Sequence, residues 1–165
     1  MILRSLTLAG GIAGAAAVSQ FPEFSQQYAQ RLGGAVDALA EVVADFDASA
    51  AAVGLERETA LAQMQGSAFL ERRQADMTRT FTRFERLRVD LAALEGQGPF
   101  MRAYHLPRLR DAEIARAAWV AYQPAVPLNF AGVSFALVGF LLGAAALGGV
   151  LKLLFWPFRR RSNPA

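Results

Sequence analysis

The chain has 165 residues, an apolar fraction of 54% and a mean hydropathy of +0.25, which is high for a protein that lies wholly in water. It contains no cysteine, so disulfides, thiolate metal sites and cysteine nucleophiles are excluded. The net charge of +3 is unevenly distributed. Residues 22–129 hold twelve bases and all fourteen acids, whereas the two ends hold five bases and no acid. No basic stretch is interleaved with aromatic residues, which argues against a nucleic-acid partner.

Residues 1–21 form a short apolar segment rich in alanine and glycine, with one charge at Arg4. This composition predicts an N-terminal transmembrane helix. A cleavable secretory signal peptide is the alternative, with residues 15–17 supplying small side chains for a cleavage site. Gly10 and Gly14 lie four residues apart, and that spacing predicts a flat helix face that a second membrane helix can approach closely.

The apolar residues of the next segment repeat at steps of three and four, as in a coiled-coil seam: Leu32, Val36, Leu39, Val43, Phe46, Ala50 and Val53. Gly33 and Gly34 interrupt this helix and predict a kink or a close approach there. Gly54 stands where a helix C-cap is expected. The sequence therefore predicts one long helix that ends near residue 53.

A second helix is predicted over residues 56–95, because its apolar residues again recur every three or four positions. The short connection at Gly54 predicts that the two helices fold back as an antiparallel, coiled-coil-like hairpin. On the second helix, the spacing predicts ion pairs between Arg72 and Asp76 and between Arg86 and Asp90. Arg79 and Arg83 have no acid at the favourable spacing and form a candidate docking face.

Three acids lie on the back of the first helix, away from its seam: Asp37, Glu41 and Asp45. We call these three residues the acidic ridge. They form either a solvated helix face or a face that docks a partner. A divalent-metal site is not expected, because carboxylates one turn apart on a single helix do not surround a cation with converging oxygens.

Residues 96–107 lose helical periodicity and predict a loop, and a short helix is predicted over Asp111–Tyr122 with Asp111 as its N-cap. Pro124 and Pro127 forbid a continuous helix into the next segment. The predicted domain of residues 22–129 is thus the helical hairpin followed by one short helix.

The segment Phe130–Leu151 runs for 22 residues without a charge, long enough to cross a bilayer. It predicts a transmembrane helix over residues 130–156, in which Gly139 and Gly143 form a second pair of small residues. A basic tail follows at residues 157–165. The predicted topology anchors at this end are basic or aromatic residues suited to the interface: Lys152, Trp156, Arg159, Arg160 and Arg161.

Arginines that flank a membrane span favour the cytoplasmic side. The sequence therefore predicts a bacterial inner-membrane protein with both termini in the cytoplasm and residues 22–129 in the periplasm. A cleaved first segment would leave the central residues on the same side.

The sequence offers no recognisable reactive site. The single histidine, His105, has no carboxylate within five residues, and no nucleophile elbow, phosphate-binding loop or paired metal ligands are present. The prediction is a non-enzymatic protein without a cofactor, a metal or a small-molecule substrate.

Two stretches carry a resemblance: "RRQADMTRTFTRFERLRVDL" (Arg72 to Leu91) and "PAVPLNFAG" (Pro124 to Gly132). On these, the chain resembles an uncharacterised bacterial family of small inner-membrane proteins, over nearly its full length. The resemblance implies no activity and no site residues. It does mark Arg72, Asp76, Arg79, Arg83 and Pro127 as belonging to a segment that merits mutation.

The expected function is an accessory or scaffold role in an envelope or membrane complex, exerted through contacts with another protein or with a second copy of the chain in the lipid bilayer. The alternative is a homo-oligomeric pore or transporter subunit lined by glycine-rich helices. The second span offers little polar surface for such a pore, since Ser134 is its only polar side chain apart from its ends.

Overall fold

The computed structural model describes residues 2–124 and 128–159, and every regular element in these ranges is helical. The α-helices are α1 (Ile2–Val18), α2 (Phe21–Ala52), α3 (Arg57–Ala62), α4 (Ala68–Leu94), α5 (Pro99–Tyr104), α6 (Ala112–Ala121) and α7 (Phe130–Arg159), with a 3₁₀ turn at Leu106–Arg108. The all-α class predicted from the sequence is confirmed. The chain forms two compact units, a terminal unit of residues 1–26 and 121–165 and a central unit of residues 27–120.

Glycines bring the backbones of α1 and α7 into contact in the terminal unit. A Cβ atom on Gly14 would lie 3.0 Å from Gly143 Cα and would overlap the carbonyl oxygen of Gly139. A Cβ on Gly10 would meet the side chain of Leu147 at 2.8 Å. The spacing of these glycines predicts flat helix faces, and in the structure the two faces lie against each other.

The outer surfaces of α1 and α7 carry large apolar side chains. Examples are Ile12 on α1, which is 59% exposed, and Leu141 on α7, which is 60% exposed. One described helix is long and apolar enough to cross a membrane, over Phe130–Leu154. Helix α1, at 17 residues, is shorter.

Helix α2 runs without interruption through Gly33 and Gly34, and a Cβ atom at either position would meet nothing within 4 Å. The predicted close approach is therefore absent, and the helix is not broken at these two glycines. The helix ends as predicted, because Gly54 adopts φ +71° and the N–H groups of Gly54 and Leu55 donate to the carbonyls of Ala51 and Ala50. Val53 is the one seam residue that is largely exposed, at 69%.

The single helix predicted over residues 56–95 is wrong, because the structure divides it into α3 and α4. Helix α3 ends at Ala62, and in the connection that follows Gly66 adopts φ +93°, a conformation that other residues rarely tolerate. Ser67 then starts α4, with its hydroxyl accepting a hydrogen bond from the N–H of Leu70 at 3.2 Å. The apolar stripe continues across the break, which is why periodicity alone does not reveal it.

The core of the central unit is built from apolar side chains of α2, α4 and α6: Tyr28, Leu32, Val36, Val43, Ala50, Met77, Leu87, Leu94, Ile114 and Ala118. Helices α2 and α4 also meet through Phe46 and Phe81, whose ring centroids lie 5.1 Å apart. The predicted loop after residue 95 contains α5 and the 3₁₀ turn. Helix α6 begins at Ala112, so the predicted short helix is present with one residue fewer at each end.

Candidate functional site: an arginine cleft between two helices

An open cleft of about 500 Å³ lies between α4 and the start of α6 in the central unit. Its lining is rich in cationic and hydroxyl side chains: Thr78, Arg79, Thr82, Arg83, Arg86, Asp111, Ala112 and Glu113. We call this the arginine cleft. All of its residues belong to the central unit.

Helical spacing explains why α4 presents three arginines to the cleft. Arg79, Arg83 and Arg86 follow one another at steps of four and three residues, and such positions share one helix face. Thr78 and Thr82 lie on the neighbouring turns, and their hydroxyls donate to the carbonyls of Gln74 and Thr78 at 2.8 and 2.9 Å. Each hydroxyl oxygen keeps its capacity to accept a hydrogen bond.

Asp111 anchors one wall of the cleft and is only 8% exposed. Its Oδ1 caps α6 by accepting from the N–H of Ile114 at 3.2 Å, as the sequence predicts, and its two oxygens also bind Arg83 at 3.3 Å and Arg86 at 2.9 Å. A carboxylate so placed has its negative charge compensated by two guanidinium groups.

Tyr28 holds the backbone of Asp111 through a hydrogen bond. The backbone N–H of Asp111 donates to the Tyr28 hydroxyl oxygen at 3.1 Å, joining α2 to the start of α6. Burial raises the pKa of the Tyr28 hydroxyl, an effect partly opposed by its hydrogen bond with the Asp111 backbone. The phenol therefore stays neutral at physiological pH and serves as a hydrogen-bonding support.

A second buried carboxylate lies next to this site. Asp90 is 2% exposed and binds Arg108 at 3.0 Å and Arg110 at 3.6 Å. These two pairs tie the end of α4 to the chain that leads into α6. Asp90 and Asp111 are the two charged residues that the described part of the central unit buries, and each binds two arginines.

The arginines expected to be unpaired do have partners in the structure. Arg83 binds both Asp111 and Glu113, and Arg79 binds Asp76. The predicted pairing of Arg86 with Asp90 is wrong, because Arg86 binds Asp111. Among the described residues no ion pair joins Arg72 to Asp76, and Asp76 binds Arg79. The spacing of residues along one helix cannot reveal partners that lie 25 or more residues away in the sequence.

The residues of the acidic ridge lie on the exposed face of α2. Within residues 2–124 and 128–159, no ion pair involves Asp37, Glu41 or Asp45. The ridge and the arginine cleft are therefore different kinds of surface, because the ridge is uncompensated and the cleft is largely neutralised.

Three of the predicted topology anchors lie near the end of α7. Lys152 is exposed, and Trp156 and Arg159 are within the helix. Arg160, Arg161 and Pro127 lie outside the described residues.

His105 follows α5, and its ring packs edge-on against Tyr104 at 5.1 Å between centroids. Among the residues described, no group of three or more histidine, aspartate or glutamate side chains could hold a metal ion. What the site offers chemically is a set of cationic donors around an open space.

These observations define an all-helical protein with one helix long and apolar enough to cross a membrane. The chain belongs to the family described as "Protein of unknown function (DUF2937)", which it matches over residues 2–160. This confirms the resemblance to an uncharacterised family. No curated protein and no solved structure matches the chain.

Proposed function

We propose that this protein is a non-enzymatic component of the bacterial inner membrane, anchored by α1 and α7, which presents its central unit to a partner protein on the periplasmic side. The observation that carries this proposal is the packing of the terminal unit. Gly10, Gly14, Gly139 and Gly143 lie at the contact between α1 and α7, and large apolar side chains lie on the outer surface. That arrangement suits lipid, because membrane helices associate through small residues and expose apolar ones to acyl chains.

The lengths of the two helices are compatible with a membrane hairpin. Helix α7 has 30 residues and α1 has 17, so at 1.5 Å per residue they are roughly 45 and 25 Å long. The shorter helix is close to the roughly 30 Å hydrocarbon thickness and is paired along its length with the longer one. Basic residues after α7 favour a cytoplasmic C-terminus, and a two-helix hairpin then leaves the N-terminus on the same side.

The acidic ridge is the candidate docking face of the central unit. In a helical hairpin made by α2 and α4, which the contact between Phe46 and Phe81 supports, the ridge lies on the side of α2 away from the core. Three uncompensated carboxylates favour a partner with a basic surface, since complementary charge speeds association and selects partners.

The glycine pairs also favour a scaffold over a pore. Gly10, Gly14, Gly139 and Gly143 are in contact within one chain. A channel lined by these faces would require the two helices to separate first. Conduction by the purified protein in liposomes would reverse this preference.

The test combines topology with partner capture. A reporter that is active only outside the cytoplasm should be active when inserted after Gly54 and inactive at the C-terminus. Crosslinking in cells should then capture a protein through the ridge, and the capture should be lost when Asp37, Glu41 and Asp45 are all changed to lysine. Recovery of the crosslinked chain alone, with and without these changes, would contradict the scaffold role.

A further inference from the structure

We propose that the arginine cleft is a binding site for a phosphate monoester group. The inference is independent of the scaffold role, because it depends on the lining of the cleft and not on any partner protein.

Guanidinium groups outnumber carboxylates in the lining of the cleft. Three arginines line it with two carboxylates, those of Asp111 and Glu113, and Arg79 binds a third carboxylate outside the lining, that of Asp76. Asp111 is held in place by the cap of α6 and by two arginines, so it is a fixed part of the wall. Glu113 is different, since its side chain is 77% exposed and it is held by one ion pair to Arg83.

Glu113 is therefore the removable occupant of the site. Exposed ion pairs are weak, and a carboxylate on a flexible side chain can turn into water when a better anion arrives. Its departure leaves three guanidinium groups in the lining with one carboxylate, that of Asp111, while Arg79 also binds Asp76 outside the lining. A phosphate monoester carries about −1.5 to −2 charges at neutral pH, so these arginines attract it more strongly than they attract a single carboxylate.

Unused hydrogen-bond donors point to the same ligand. The Nε of Arg83 is buried and has no hydrogen-bond partner among the described residues. The N–H groups of Ala112 and Glu113, in the first turn of α6, have no partner within their own helix. A phosphate group has three acceptor oxygens and can take several such donors at once, whereas Glu113 supplies two.

The size of the cleft indicates that more than a bare ion fits. A volume of about 500 Å³ lies within the range of small-molecule sites. The phosphate can therefore belong to a soluble metabolite or to a lipid headgroup, and glycerol 3-phosphate and short-chain phosphatidic acid represent these two sources.

The experiment is a calorimetric titration of the full chain in a neutral detergent with inorganic phosphate, compared with chloride at equal ionic strength. The wild-type protein should bind phosphate with a dissociation constant on the order of 1 mM. Glu113→Gln should tighten binding about fivefold, the factor that corresponds to one exposed ion pair. Arg79→Gln should weaken it, and as Arg79 is 65% exposed its loss leaves the fold intact.

Glu85→Gln is the matched control. Glu85 is an exposed glutamate paired with an arginine, Arg88, and it does not line the cleft. It changes the net charge by the same amount and should leave phosphate affinity unchanged. Equal effects of the two glutamine variants, or no phosphate binding by either the wild type or Glu113→Gln, would overturn the proposal.

Two further titrations identify the source of the phosphate. Equal affinities for glycerol 3-phosphate and short-chain phosphatidic acid would support a soluble ligand. Tighter binding of the phosphatidic acid, again enhanced by Glu113→Gln, would support a lipid headgroup.

Discussion

The terminal and central units solve the packing problem in opposite ways. In the terminal unit, Gly14 and Gly139 lie at the helix contact and residues such as Ile12 and Leu141 face outward. In the central unit, Leu32 and Leu87 are fully buried, and the acidic ridge faces outward. The difference is the one that the proposed membrane anchoring requires, since water drives large apolar groups inside whereas lipid does not.

The units also treat charge differently. Neither α1 nor the span Phe130–Leu151 carries an acid, whereas the central unit buries Asp90 and Asp111 beside pairs of arginines. Buried ion pairs specify geometry more than they add stability, because desolvation offsets much of their attraction. The aspartates therefore fix where the start of α6 sits against α4.

The largest effect on stability should come from removing a buried carboxylate from the central unit. Asp90→Ala leaves Arg108 and Arg110 without their carboxylate and should cost about 3 kcal/mol of unfolding free energy, the low end for a buried pair because both arginines are half-exposed. Thermal unfolding followed by circular dichroism in detergent measures it. Asp37→Ala is the control on an exposed helix face and should shift stability by no more than about 0.5 kcal/mol. Equal shifts would show that Asp90 is not structurally important.

A smaller effect should come from the glycine contact of the terminal unit. Gly139→Ala places a Cβ against the backbone of Gly14 and should weaken the pairing of α1 with α7 by about 1–3 kcal/mol. The chain has no cysteine, so a Thr7→Cys, Gly148→Cys pair can report that pairing by disulfide formation. A Cβ on Gly148 lies 3.5 Å from the Thr7 side chain.

Gly149→Ala is the control for this experiment, because a Cβ there meets nothing within 4 Å. It should leave disulfide formation unchanged. Loss of the disulfide in both variants, or in neither, would contradict a contact specific to Gly139.

Within the central unit, replacement of glycine by alanine should change stability in opposite directions at two positions where the added Cβ meets no other atom. Gly54→Ala forces a side chain into φ +71° and should destabilise the unit by about 1 kcal/mol, whereas Gly33→Ala, in the interior of α2, should stabilise it by up to about 1 kcal/mol. Unfolding midpoints of the two variants measure the difference. A stabilising Gly54→Ala would mean that the cap at the end of α2 is not formed in solution.

The smallest effect should be a pH-dependent one at the turn after α2. Arg57 donates to Asp47 at 2.6 Å and lowers the pKa of that carboxyl below its ordinary 3.8. A depressed pKa stabilises the folded state above pH 3.8, and the contribution is lost as the pH falls towards the folded-state pKa. The difference in melting temperature between the wild type and Asp47→Asn should therefore shrink in acid.

Arg57→Gln should remove the same contribution at neutral pH, because it deletes the other half of the pair. A difference that stays constant down to pH 2 would show that Asp47 acts through something other than its charge.

Much of the helical framework is predictable from the sequence, because seams and caps are local. The repeat from Leu32 to Ala50 predicts the buried side of α2, and Gly54 and Asp111 mark helix ends through their own chemistry. The break at Gly66 is missed because the apolar stripe of the second helix continues across it. The pairing of Arg83 with Asp111 is missed because it depends on how distant elements fold together.

The most direct test of lipid as the solvent of the terminal unit is cysteine accessibility in native membrane fragments open on both sides. Single-cysteine variants at Leu141, on the outer surface of α7, and at Glu41, on the acidic ridge, would be treated with a water-soluble maleimide. The account predicts rapid labelling of Glu41→Cys and labelling of Leu141→Cys only after detergent is added. Equal labelling of both before detergent would contradict it.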